Sequence, residues 1–312
     1  MKSLADLDPI IATKLVALAE EIAEHDGIAA FGATALADLR RPQPRDEYAV
    51  LMEGEEPVAF AWCDGTSAEF GVRPDHRGKG LGQLLLRAVH KRYPKAAVWA
   101  HGNLPGAEAV ARAAGLRPVR ELWYMECELG PIEELMEHNA DEMAASLKPP
   151  AGMVLRGFRE GDEADWVHTN QAAFADHPEQ SQVDEAAFAE LREEKWWQPH
   201  LLRLLTIKNP APGEPTIAGF VWLKPAKPGV MEIFVVGVHP TQQRKGIGSL
   251  LMREALTTAV NMGATRAVLY VDGADKVAIH TYEVQGFVHK GTDVQYVGSE
   301  SLTPSEGDDD VE

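Results

Sequence analysis

Cysteine is scarce in this chain of 312 residues: Cys63 and Cys127 are the two it has. A disulfide framework is therefore excluded, and a reducing compartment, the cytoplasm, is expected. Neither cysteine has a histidine placed beside it in a nucleophile pattern, so both read as core residues. Positive charge is also short, with 30 Lys and Arg against 48 Asp and Glu, a net charge of −18. Phosphate backbones are bound by basic faces, so nucleic acid is not an expected partner. No apolar run approaches the roughly 20 residues of a membrane span, so a membrane is not an expected partner. No hydrophobic segment follows Met1-Lys2-Ser3-Leu4-Ala5 in the manner of a secretory signal. His177 has no second ligand at metal-binding spacing, and no metal is expected.

What is present is ordinary globular composition, 45% hydrophobic and 25% charged, at a length that suggests about two domains. The informative stretch begins at an apolar run, Ile233 to Val238, that reads as a buried strand. His239-Pro240-Thr241 marks a turn, and Gln243-Arg244-Lys245-Gly246-Ile247-Gly248-Ser249 is a glycine-punctuated loop. Apolar residues at helical spacing follow, at Leu250, Leu251, Ala255, Leu256, Ala259 and Val260. A strand, a loop of exposed N–H groups and a helix N-terminus make an anion site. Gly246 and Gly248 let the main chain approach a diphosphate, and Arg244 and Lys245 add positive charge.

The same pattern stands 166 positions earlier: Phe70-Gly71-Val72, Pro74, then Arg77-Gly78-Lys79-Gly80-Leu81-Gly82. Two copies predict a duplicated domain. The expected order in each is helix, helix, three strands, helix, strand, helix and a closing strand, a mixed α/β sheet. The expected divisions are an N-terminal domain over 1–130, a linker over 131–152, a C-terminal domain over 153–298 and an acidic disordered tail over 299–312. Asp162 and Asp184 are expected helix N-caps.

The copies differ where chemistry would occur. Glu232, six residues before Val238, is a candidate base; the matching residue of the first copy is Thr66. Tyr282, four residues before Gly286, is a candidate proton donor; its counterpart before Gly115 is Ala111. Read alone, Glu232 could be a solvated strand residue and Tyr282 a core aromatic. Their joint presence in one copy and joint absence in the other favours a catalytic second domain and a non-catalytic first.

Gln243, Gly246 and Gly248, with Arg77, Gly80 and Gly82, resemble the Gln/Arg-x-x-Gly-x-Gly/Ala signature of the GNAT N-acyltransferase superfamily. Tyr282-Glu283-Val284-Gln285-Gly286-Phe287 also resembles that superfamily. The tandem layout, Asn170 to Gln180, Leu223-Lys224-Pro225, Glu232 to Val238 and Leu269-Tyr270-Val271-Asp272 are similar to the mycothiol synthase family. That resemblance implies two GNAT domains, acetyl-CoA as co-substrate, and acetylation of the cysteinyl amine of a cysteine–glucosamine–inositol conjugate in actinobacteria. It implies acceptor contacts at Glu179, Lys224, Glu232 and Tyr270, with Glu232 as general base and Tyr282 as general acid. It places acetyl-CoA on Val236, Gly237, Val238, the 243–249 loop, and Asp275, Lys276, Val277, Ala278, Ile279 and His280. Asp275 departs from the family's usual Asn, and Phe31-Gly32-Ala33-Thr34-Ala35 lacks an expected acidic residue. The expected partner is a small-molecule amine and the expected state a monomer. Two alternatives stay open: another amine (an aminoglycoside or a protein N-terminus), or a tandem acyl-CoA sensor without turnover.

Overall fold

The computed structural model describes residues 2–3, 9–41, 46–130, 148–175, 177 and 180–298. The chain divides into two compact units, Met1–Trp123 with Gly291–Glu312, and Tyr124–Lys290. In the first unit α1 (Pro9–Asp26) and α2 (Ala33–Leu39) precede β2 (Glu47–Glu53), β3 (Glu56–Cys63) and β4 (Ser67–Val72). α3 (Leu81–Arg92), β5 (Ala97–Ala100) and α4 (Pro105–Ala113) follow, and the short β1 (Lys2–Ser3) pairs with β2. Side chains of a strand alternate between faces, and β3 is buried on both. Phe60 and Trp62 pack with Leu15, Leu18, Ile22 and Phe31. Ala59, Ala61 and Cys63 pack with Leu85 and Val89 of α3. Each large side chain so buried contributes about 1.5–3 kcal/mol.

The second unit repeats this layout with β7 (Met153–Gly157), α5 (Glu163–Ala173), α6 (Glu185–Arg192), β8 (Leu202–Ile207) and β9 (Ile217–Lys227). Then come β10 (Val230–Val238), α7 (Ile247–Asn261), β11 (Arg266–Asp272) and α8 (Lys276–Val284). Its core is an aromatic cluster: Trp166 stacks on Phe188 at 4.2 Å and meets Phe220 and Trp222 edge-on. Asp184 caps α6 as expected, accepting the Ala187 N–H at 2.8 Å. Asp162 stands at the cap position of α5 but does not cap it; its carboxylate takes both guanidinium N–H groups of Arg156 at 2.7 Å. A bidentate charged partner outcompetes the helix end.

The closing strands correct the expected domain boundaries. β6 (Arg117–Glu128) carries the first half into the second unit as the neighbour of β11. There the Leu129 N–H donates to the Thr265 carbonyl at 2.9 Å. β12 (Val288–Val297) joins β5 of the first unit instead, through Val294↔Ala100 and Tyr296↔Val98. The first sheet thus runs β1-β2-β3-β4-β5-β12 and the second β7-β8-β9-β10-β11-β6. Each half closes the other's sheet, so neither 1–130 nor 153–298 is a compact unit. Most of the expected linker and the whole acidic tail lie outside the described residues.

Both sheets open at the same place. β4 and β5 pair in parallel only at Ser67↔Ala97 and Ala68↔Val98. β10 and β11 pair only from Val230↔Arg266 to Ile233↔Leu269. Beyond these points the strands part, and the loops follow.

Candidate active site

Gly80 and Gly246 open α3 and α7 with φ of 79° and 75°, a left-handed backbone that favours glycine, and no side chain caps either helix. One residue pair earlier the loops differ in composition yet keep the conformation: Gly78 has φ 76° and Arg244 has φ 61°. Uncapped N–H groups of a first turn satisfy an anion's lone pairs, and the helix dipole adds attraction. The loop's first residue is anchored alike in both copies. The Gln243 amide donates to the Val238 carbonyl at 3.2 Å, and Arg77 Nε to the Val72 carbonyl at 3.1 Å. Arg77 differs in pairing bidentately with Asp26 at 2.8 Å, and that hydrogen bond holds the Asp26 pKa below its ordinary value. Lys245 turns back on the loop, donating to the Thr241 carbonyl and the Gln242 amide oxygen. Arg244 and Lys79 are exposed.

Gly71 and Gly237 hold their strands close to the core. A Cβ at Gly71 would lie 2.8 Å from Ile22, and one at Gly237 would lie 2.8 Å from Phe220. Glu232 pairs with Lys224 and Val235 with Trp222, a bulge at Phe234 shifting the alternation of β10, so Glu232, Val235 and Gly237 share one face and Val236 and Val238 lie on the other. Glu232 stands opposite Lys224 across β9 and β10, its carboxylate 3.5 Å from the ammonium. Lys224 in turn lies 5.4 Å from the Trp196 ring and 5.3 Å from that of Phe234. Carboxylate, ammonium and two aromatic faces therefore meet on one side of the second sheet. Trp196 was not legible as part of this group from the sequence, because nothing in its spacing ties it to β9.

Tyr270 stands one residue past Leu269, the last residue of β11 paired with β10, and is 48% exposed. Tyr282 lies on α8 with its ring 6.1 Å from Phe287. Burial, with the Asp275 carboxylate adding to it, pushes the Tyr282 phenol well above its ordinary pKa, so the hydroxyl keeps its proton. Asp275 caps α8, accepting the Ala278 N–H at 2.9 Å, which gives its carboxylate a structural reason. Lys276 donates to the Gly273 carbonyl; Val277 and His280 are exposed, Ala278 is half-buried, and Ile279 is buried. Ser249 is half-buried in the first turn of α7. Glu179 lies outside the described residues. His177 accepts the Gln180 N–H at 3.2 Å, a loop contact.

The first unit holds a cavity of about 480 Å³ under its own loop, lined by Phe70, Arg77, Gly80, Val98, His101 and Val110 among others. At its wall stands a buried ionic group that no spacing in the sequence announces. His101 Nδ1 bonds Asp293 Oδ2 at 2.8 Å. His101 Nε2 lies 3.1 Å from Glu69 Oε1, an ion pair too poorly aligned to be a hydrogen bond. Burial works to lower the His101 pKa, but the two carboxylates outweigh it and push it up to about 10. Glu69 also accepts the Gly32 N–H at 2.7 Å.

Duplicated mixed sheets that part beneath uncapped glycine loops define a tandem GNAT acetyltransferase. The Acetyltransferase (GNAT) family matches residues 30–114 and 166–287, and the acyl donor of that family is acetyl-CoA. Within it the chain belongs to the mycothiol acetyltransferase family. It is 35% identical to the mycothiol acetyltransferase of Beutenbergia cavernae, over 92% of this chain and 95% of that one. It is 33% identical to that of Corynebacterium aurimucosum, over 89% and 91%. In fold it is similar to a GCN5-related N-acetyltransferase from Sphaerobacter thermophilus, with a TM-score of 0.70 at 20% identity over 95% and 94% of the chains. It is likewise similar to a tandem GNAT protein of the clavulanic acid biosynthesis pathway, with a TM-score of 0.64 at 17% identity over 94% and 96%. Among the described residues no group of three or more His, Cys, Asp or Glu could hold a metal ion, and no helix is long and apolar enough to cross a membrane.

Proposed function

We propose that the chain transfers the acetyl group of acetyl-CoA to the cysteinyl amine of a cysteine–glucosamine–inositol conjugate, completing mycothiol. The observation that carries this reading is kinship along nearly the whole chain with relatives named for that product. The second unit does the chemistry. Acetyl-CoA brings the activated thioester, and the uncapped N–H groups from Gly246 to Ser249 suit its diphosphate. An α-amino group titrates at roughly 7.7–8.0, so the base has a modest task. Glu232 takes the proton of the attacking amine, directly or through water, and the neighbouring Lys224 helps hold a polar acceptor beside it. The Tyr282 hydroxyl, kept protonated by its surroundings, donates to the departing sulfur. Glu179 joins the acceptor side.

The first unit binds acetyl-CoA without turning it over. Its cavity and loop are suited to the coenzyme, while Ala111 stands where the second copy has Tyr282. Ser67, one residue from the Thr66 of the sequence count because β10 carries a bulge at Phe234, stands where it has Glu232. The test mixes protein, acetyl-CoA and the conjugate and follows products by mass spectrometry. Acetylation of the amine supports the reading. Acetylation of an aminoglycoside or peptide amine in its place, or no turnover with any amine, rejects it.

A further inference from the structure

The opening between β10 and β11 has a second wall that the first half of the chain supplies. Tyr124, on β6, faces Tyr270 with ring centroids 5.2 Å apart and planes tilted by 44°. The Tyr124 hydroxyl donates to Glu126 Oε1 at 2.7 Å, and Glu126 in turn lies 3.6 Å from Arg266. Tyr124 and Glu126 are two residues apart on one strand, as are Arg266 and Val268, and Val268 and Tyr270, on the other. Alternation therefore puts all five on one face. Val268 is the register partner of Glu232, so that face is the one carrying Glu232 and Lys224.

Tyr270 is two residues beyond Val268, about 7 Å along the strand, and the strands are about 4.8 Å apart. Tyr124, on the neighbouring strand β6, extends the same face beyond Tyr270, on the side of β11 away from Glu232. Two tilted phenol rings offer apolar faces to the C–H groups of a sugar ring. Because Tyr124 gives its own proton to Glu126, its oxygen is left to accept one from a substrate hydroxyl. Burial and the Glu126 carboxylate raise the Tyr124 pKa well above its ordinary value, which keeps this donor arrangement fixed.

We propose that Tyr124, carried into the second unit on the exchanged strand, contacts the sugar portion of the acceptor and discriminates polyhydroxylated amines from simple ones. This rests on the acceptor class proposed above. The two are separable, since amine acetylation needs Glu232 whereas recognition of a ring needs Tyr124.

The test uses the full-length protein with two acceptors, the cysteine–glucosamine–inositol conjugate and cysteine amide, which has the amine and thiol but no sugar. Tyr124→Ala is expected to raise KM for the conjugate about tenfold, the size of one aromatic contact with its hydrogen bond. KM for acetyl-CoA and kcat/KM for cysteine amide stay within about twofold. Tyr124→Phe, which keeps the ring, is expected to raise the conjugate's KM about threefold. Melting temperature and acetyl-CoA titration check that both variants are folded. An unchanged KM for the conjugate in Tyr124→Ala overturns the proposal. So does an equal loss on both acceptors, which marks a structural role. If the wild-type protein does not acetylate the conjugate at all, the proposed function itself fails and the sugar assignment falls with it.

Discussion

Glu232 shows how far a single residue can be read from sequence and where the reading stops. Its position before Val238, and the Thr66 that the residue count sets against it in the first copy, marked it out. Lys224 was named beside it by the family resemblance, but the pairing of the two side chains became visible only through the register of β9 and β10. Replacing Glu232 with Gln keeps the shape and removes the base, so kcat/KM should fall by about 10²–10⁴ while calorimetric titration shows unaltered acetyl-CoA binding. A loss under tenfold at every pH would remove it from the mechanism. Tyr282→Phe should slow turnover without lowering the melting temperature. Because the phenol pKa is raised, wild-type activity should show no alkaline decline attributable to Tyr282 below pH 10. The ionic group of the first unit was not legible: Glu69, His101 and Asp293 lie on β4, after β5 and on β12, far apart in the chain. His101 is about 10 when folded and roughly 6.5 when unfolded, so its stabilising effect is complete below pH 6.5 and is lost as pH rises towards 10. Denaturant unfolding at pH 6 and pH 10 should show wild-type stability falling more steeply than that of His101→Gln.

The glycine loops are the elements on which the account depends, and both were legible, because glycine at a left-handed position and an uncapped helix start are local properties. The Arg77–Asp26 pair was not, since Asp26 is the last residue of a helix 51 positions away. An aspartate at either loop glycine places a negative side chain where a diphosphate would lie and strains a backbone at φ near 75°. Gly246→Asp should therefore abolish coenzyme binding in the second unit and all activity. Gly80→Asp should abolish binding in the first unit alone. Calorimetric stoichiometry alongside a rate assay distinguishes them. Equal loss of activity from both, in folded protein, would contradict a silent first unit.

At the scale of the whole molecule, the duplication and the fold were legible from two copies of one motif, but the exchange of closing strands was not. β6 and β12 each follow the helix expected to precede a closing strand, and nothing local to either states which sheet it joins. The exchange predicts that a chain ending at Lys290 loses the strand that covers β5. Ala100 and Ala111 would then be stripped of Val294 and Tyr296, and His101 of Asp293. The first unit of that chain should exchange its amide protons freely while the second stays protected, in hydrogen-exchange measurements by mass spectrometry. The central claim is that the second unit acetylates the cysteinyl amine of a sugar-linked acceptor. Its most direct test is product mass spectrometry on the conjugate with wild-type protein, Glu232→Gln and Gly80→Asp. The account predicts an N-acetylated product from wild type and Gly80→Asp and almost none from Glu232→Gln. Product from Glu232→Gln at the wild-type rate, or an acetyl group carried on sulfur in place of nitrogen, would contradict it.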